Sequence, residues 1–104
     1  MRSIGLILLC FLSFDILAET KHHQISITGF EFKPKVFMLN IGDRVTWTNN
    51  DIAKHNISLN RDTAPLSEDL AKGEQFSMLI TSPLAYLCGL HPPMTGRILI
   101  ERKR

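Results

Sequence analysis

At 104 residues with a formal charge of +2, the chain is long enough for one small domain with a single core. So weak a basic balance is no footprint for nucleic acid. The basic end Arg102-Lys103-Arg104 reads as a solvated tail.

The N-terminus has the form of a secretory leader. Arg2 supplies the positive charge, Ile4 to Phe14 is almost unbroken apolar sequence, and Asp15-Ile16-Leu17-Ala18 gives way to polar residues at Glu19. We read residues 1–18 as a signal peptide cleaved after Ala18, leaving a domain of residues 19–104. The apolar run is short of the ~20 residues that span a bilayer, so no stable membrane insertion is expected. Cys10 follows Leu9, which is not the small residue of lipoprotein processing. Removal of the leader takes one Arg and one Asp, so the charge is unchanged. It leaves Cys88 as the sole cysteine of an exported domain, which excludes an internal disulfide. Such a thiol is a buried hydrophobe, an intermolecular bridge, or a reactive or metal-bound group.

In chain order, Glu19 to His23 reads as a mobile, solvated lead-in. Gln24-Ile25-Ser26-Ile27-Thr28 alternates with the period of a half-buried strand. After Gly29, Phe30-Glu31-Phe32 places two aromatics on one face, and Pro34 closes the segment. Val36 to Ile41 resumes as a strand, with Phe37, Leu39 and Ile41 on one side. Gly42-Asp43 is a turn. Arg44 to Thr48 is a strong strand with Val45 and Trp47 on the same side. Asn49-Asn50-Asp51 is turn chemistry. His55 to Asn60 reads as a further strand, Arg61 to Leu70 as a surface loop, and Gln75 to Thr81 as a strand. Leu84 to Cys88 delivers the thiol, and Ile98 and Ile100 alternate in the last strand. Seven to eight short strands without a convincing long helix indicate an all-β Greek-key sandwich.

The chemistry concentrates in Cys88-Gly89-Leu90-His91-Pro92-Pro93-Met94. A thiol, an imidazole and a thioether stand three residues apart, and His55 supplies a second imidazole. Two nitrogens, one thiolate and a weak axial thioether are the donor set of a blue-copper electron-transfer site. Structural zinc prefers four strong Cys or His donors, so Met94 argues against it. Gly89 lets the chain curl, and Pro92 and Pro93 stiffen the return and prevent a helix across His91 to Met94. Each residue alone has a plainer reading: Cys88 and Met94 as core packing, His55 as a satisfied polar group. Their joint spacing in an exported chain favours copper. Asn56 is a candidate support, its backbone N–H directed at the Cys88 sulfur and its side chain tying the ligand segments together.

Cys88-x-x-His91-x-x-Met94, with His91-Pro92, Val45-Thr46-Trp47-Thr48-Asn49 and His55-Asn56, resembles the amicyanin-type cupredoxins. Phe30-Glu31-Phe32-x-Pro34 and Gly42-Asp43 resemble that family's opening strands. The resemblance covers the whole mature domain. It implies a cupredoxin-like sandwich, one type 1 copper ion held by His55, Cys88, His91 and Met94, and a periplasmic one-electron carrier. It also implies redox partner proteins, in that family a dehydrogenase and a c-type cytochrome. Gly89 and Leu90 depart from the family, which often carries a hydroxyl residue and a proline there.

The expected protein is a monomer and not an enzyme, since four protein ligands leave no position for substrate. Copper delivery or storage with the same ligands is the alternative function. His91 is expected to be the partly exposed ligand, ringed by Leu90, Pro92, Pro93, Ile52 and Ala53 as a docking patch. In the reduced protein it should exchange metal for a proton in mild acid.

Overall fold

The computed structural model describes residues 20–102, so the cleaved-leader reading of 1–18 lies outside the described residues. Seven strands are formed: β1 (His22–Thr28), β2 (Glu31–Lys33), β3 (Val36–Leu39), β4 (Arg44–Asn49), β5 (Gln75–Leu79), β6 (Leu84–Cys88) and β7 (His91–Ile100). They make a four-stranded sheet in the order β2-β1-β4-β5 and a three-stranded sheet in the order β3-β7-β6. No helix occurs among the described residues. The expected all-β sandwich is the fold observed.

Alternation along the strands decides which residues meet between the sheets. In β4, Val45, Trp47 and Asn49 are buried while Arg44, Thr46 and Thr48 are not. The same period buries Ile25 and Ile27 from β1, Tyr86 and Cys88 from β6, and Met94 and Ile98 from β7. Each large apolar side chain so buried contributes about 1.5–3 kcal/mol. The middle of the core is aromatic. Tyr86 meets Phe32 and Trp47 edge-on, with ring centroids 4.7 and 5.4 Å apart, and Trp47 stacks on Phe76 at 5.8 Å. Burial pushes the Tyr86 phenol up to about 12, with the nearby Trp47 indole as the opposing influence. Neither Tyr86 Oη nor Trp47 Nε1 completes a hydrogen bond.

Where the structure departs from the sequence reading, distant partners are the cause. His22 and His23 are not a mobile lead-in. They open β1, which pairs in parallel with β4 from His22↔Arg44 to Ile27↔Asn49. His23 Nε2 lies 2.9 Å from Asp43 Oδ2. His55 to Asn60 is not a strand either; it makes two isolated bridges, His55↔Leu70 and Ser58↔Leu87. Phe30 does not share the face of Phe32. Gly29 and Phe30 both adopt left-handed backbone, with φ of 63° and 59°, and close the β1–β2 hairpin as the two central residues of its turn.

Asp43 anchors the end of the sandwich at which β1 begins. It is 5% exposed and accepts hydrogen bonds from the backbone N–H groups of Asn40 and Lys21 at 3.3 and 3.4 Å. The hydrogen bond from His23, then those from Asn40 and Lys21, hold its carboxyl below the ordinary value of 3.8 against the desolvation that raises it. A depressed acid stabilises the fold above its unfolded-state value and loses that contribution as pH falls through the folded value. Asp43→Asn is therefore expected to lower the urea midpoint of the metal-free protein at pH 6. The gap to wild type should close as pH falls below 3.8. A gap that stays constant down to pH ~2 would contradict the linkage.

Candidate metal centre

The centre lies at the sandwich end where β6 turns into β7. The alternation that buries Tyr86 also turns Cys88 inward, fully buried at 0% exposure. The two strands pair regularly from Leu84↔Ile98 to Leu87↔Thr95, and the next pair is Cys88↔His91. Between Thr95 and His91 three residues of β7, Pro92, Pro93 and Met94, have no counterpart on β6. A bulge of this kind bends its strand and re-aims side chains. Prolines tolerate the place because they have no N–H to give to a ladder. The expected stiff return after His91 is thus the bulged beginning of a strand, and it buries Met94 to 6% exposure.

His55 is also completely buried. Its Nδ1 is 3.7 Å from Cys88 Sγ, and its Nε2 is 2.9 Å from Asp51 Oδ2. An ionised carboxylate only accepts, so Nε2 donates to Asp51 and Nδ1 keeps its lone pair on the side of the sulfur. Asp51 also accepts the N–H groups of Gly29 and Phe30 at 2.7 and 2.9 Å. Burial raises its carboxyl, but these two N–H bonds and the His55 bond together bring it below the ordinary value. One carboxylate therefore orients the imidazole and holds the β1–β2 turn. Through that turn it places the Phe30 ring edge-on against both His55 and His91, with centroids 4.9 Å away in each case.

His91 is partly exposed, and its ring centroid is 5.0 Å from that of His55. It lines an open groove with Phe30, Phe32, Lys35, Pro92 and Met94. The structure thus pairs Cys88 with His55 and His55 with His91, and puts Met94 beside His91. Among the described residues no three His, Cys, Asp or Glu side chains close into a ready-made metal cage. The donor chemistry nevertheless fits copper: a buried thiol, an imidazole with a free nitrogen toward it, a second imidazole at the rim and a thioether. Of the expected apolar patch, Leu90, Pro92 and Pro93 line this groove beside His91, joined by Phe30 and by the charged Glu31 and Lys35; Leu90 is 43% and Phe30 47% exposed.

Asn56 takes the supporting place expected of it. Its backbone N–H donates to Cys88 Sγ at 3.4 Å, and its Oδ1 accepts the Gly89 N–H at 2.7 Å. The sequence reading missed Asp51, Phe30 and Ser58. Asp51 four residues before His55 was a legible signal, submerged in a run that reads as turn chemistry. Phe30 and Ser58 carried no local signal, because what they touch is distant in the chain.

The plastocyanin/azurin family of copper binding proteins matches residues 19–101. The chain belongs to that family, and copper is its cofactor. Amicyanin-alpha of Methylorubrum extorquens is 25% identical over 85 residues, covering 75% of this chain and 71% of that protein. A reduced amicyanin variant superposes with a TM-score of 0.69 at 24% identity, over 77% of this chain and 82% of that one. The Cu(I) form of another amicyanin variant gives 0.69 at 25% identity, over 83% and 87%. A copper-containing nitrite reductase from Thermus scotoductus gives 0.70 at 23% identity, over 84% of this chain. The chain spans only 24% of that enzyme, so the likeness is one of fold alone.

Proposed function

We propose that this protein is a periplasmic one-electron carrier in which His55, Cys88, His91 and Met94 hold a single type 1 copper ion. The observation that carries the reading is the buried Cys88 sulfur 3.7 Å from His55 Nδ1, beside an imidazole, that of His91, which reaches the surface. Copper bound there supplies a couple between Cu(I) and Cu(II). The chain supplies the rest. Asp51 fixes the tautomer of His55, the Asn56 N–H withdraws charge from the Cys88 sulfur, and Phe30 packs edge-on against both imidazoles. Four protein donors leave no position for substrate, which favours a carrier over an enzyme.

The partners are redox proteins that meet the apolar rim around His91. Small apolar contacts suit brief redox encounters. Leu90→Glu is expected to slow electron exchange with a c-type cytochrome about tenfold or more, since a buried unpaired carboxylate costs several kcal/mol at a docked face. The visible spectrum should stay unchanged, and a lost spectrum would show Leu90 to be part of the centre instead of its rim.

The deciding experiment is to add cupric ion to the mature protein, reduce it with a one-electron donor and reoxidise it in the presence of a chelator. A carrier turns intensely blue, bleaches, and recovers its colour with the metal retained. Copper passing to the chelator during the cycle would favour delivery or storage through the same ligands. No blue band at all would sink the reading. Fractionation of the producing cells tests the compartment, and recovery in the cytosol would overturn the periplasmic assignment.

A further inference from the structure

The Asn56 side chain, 4% exposed, makes three hydrogen bonds. Its Oδ1 takes the Gly89 N–H at 2.7 Å and the Ser58 hydroxyl at 2.9 Å, and its Nδ2 donates to Asp69 Oδ1 at 3.1 Å. The Gly89 N–H can only donate, which fixes the end of the carboxamide that faces it. Two donors on one carbonyl oxygen saturate it. The same residue's backbone N–H is the one bonded to the Cys88 sulfur, so whatever holds the Asn56 side chain also holds that bond.

Ser58 is buried at 2% exposure. Its backbone is pinned both ways to Leu87, N–H to oxygen at 2.8 Å in each direction, one residue before the thiol. Its hydroxyl fills the space beside Gly89. A Cβ on Gly89 would stand 2.9 Å from Ser58 Oγ and 3.2 Å from Asn56 Oδ1. The first of these is closer than side-chain carbons come to such an atom, so residue 89 and Ser58 compete for one place. Either Ser58 donates to Asn56 and residue 89 is glycine, or a side chain at 89 takes that position and residue 58 must be smaller.

We propose that Ser58 is a positioning residue of the copper centre. Its hydroxyl occupies the place left by Gly89, locks the Asn56 carboxamide, and so sets the N–H bond to the Cys88 sulfur. This rests on the reading of Cys88 as a copper ligand. A hydrogen bond to the ligand sulfur draws electron density from it and favours the reduced metal. Without the Ser58 donor, Asn56 Oδ1 keeps one partner of two, and the N–H bond to sulfur lengthens.

The test compares wild type with Ser58→Ala, Gly89→Ser and the double variant, each with its urea midpoint recorded. Ser58→Ala is expected to lower the reduction potential and to weaken copper retention against a chelator about 10- to 100-fold. In the metal-free protein it should speed the reaction of the Cys88 thiol with an aromatic disulfide reagent. Gly89→Ser alone crowds Ser58 and should shift the same readouts from wild type. The double variant puts a hydroxyl back beside Asn56 from the other side, and its potential and thiol reactivity should return toward wild type. Unchanged potential and thiol reactivity in Ser58→Ala, or a double variant no nearer wild type than that single one, would overturn the proposal. A wild-type protein that never turns blue would overturn the copper reading instead, and the metal-free thiol rates would still decide the clamp.

Discussion

Cys88→Ser is expected to abolish the intense visible band of the copper-loaded protein while leaving the sandwich folded. The band needs a thiolate that can pass charge to cupric ion, and a serine hydroxyl neither ionises near neutral pH nor offers a soft donor. The fold should tolerate the exchange for a local reason. Cys88 Sγ already sits among hydrogen-bonding groups, with the Asn56 N–H at 3.4 Å and His55 Nδ1 at 3.7 Å. A hydroxyl can accept from the first and donate to the second, so no buried polar atom is orphaned. The change in stability of the metal-free protein should stay within about 1 kcal/mol, read as a shift in urea midpoint at constant slope. A blue band surviving in the variant would mean that the ligand set has been misassigned. A variant that fails to fold would show that Cys88 is core packing first.

The candidate ligand segment could be picked out because its information is local. Cys88, His91 and Met94 lie within seven residues, and their spacing declares a donor set wherever the rest of the chain goes. The strands were legible for a similar reason: Val45 and Trp47 point the same way by the period of a pleat. The bulge was not. Pro92 and Pro93 announce stiffness, but only the slip in pairing from Leu87↔Thr95 to Cys88↔His91 reveals that they are looped out of a ladder to turn Met94 inward. Phe30 is a sharper case. A Gly-Phe pair is a poor signature for a turn with two left-handed residues, where Asn-Gly is favoured. The turn forms because Asp51, 22 and 21 residues from Gly29 and Phe30, accepts both of its N–H groups. Ser58 follows the same logic. A glycine after Cys88 reads as a missing hydroxyl, yet the hydroxyl arrives from the segment that begins at His55. The supports of the site are long-range hydrogen bonds, and sequence periodicity carries no term for them.

A second result of large size is expected at Gly96, two residues beyond Met94 on β7. Tyr86 and Gly96 face one another across β6 and β7, and the Tyr86 ring lies directly over the glycine. A Cβ there would press on Tyr86 Cζ and Oη, far inside contact distance, and would meet Cε2 at 2.9 Å. A long flexible side chain would swing away, but this ring has Phe32 at 4.7 Å on one side and Trp47 at 5.4 Å on another. Either Gly96→Ala displaces the ring into two other aromatics, or β7 separates from β6. Overpacking of this sort costs about 1–3 kcal/mol, and a rigid neighbour puts Gly96→Ala at the upper end of that range or beyond it. For a domain of this size, 3 kcal/mol corresponds to a fall in Tm of roughly 12–24 °C. Loss of β6–β7 pairing would also loosen Cys88 against His91, so the blue colour should disappear at the lower temperature together with the fold. The companion change is Tyr86→Phe, which removes only the unpaired Oη. It should stabilise the wild-type background or leave it unchanged, and relieve part of the penalty in the Gly96→Ala background. Because the two residues touch, their effects should not add. If Gly96→Ala melted within a few degrees of wild type, the strand pair would have to be more pliable than its packing indicates, and with it the platform that holds the thiol.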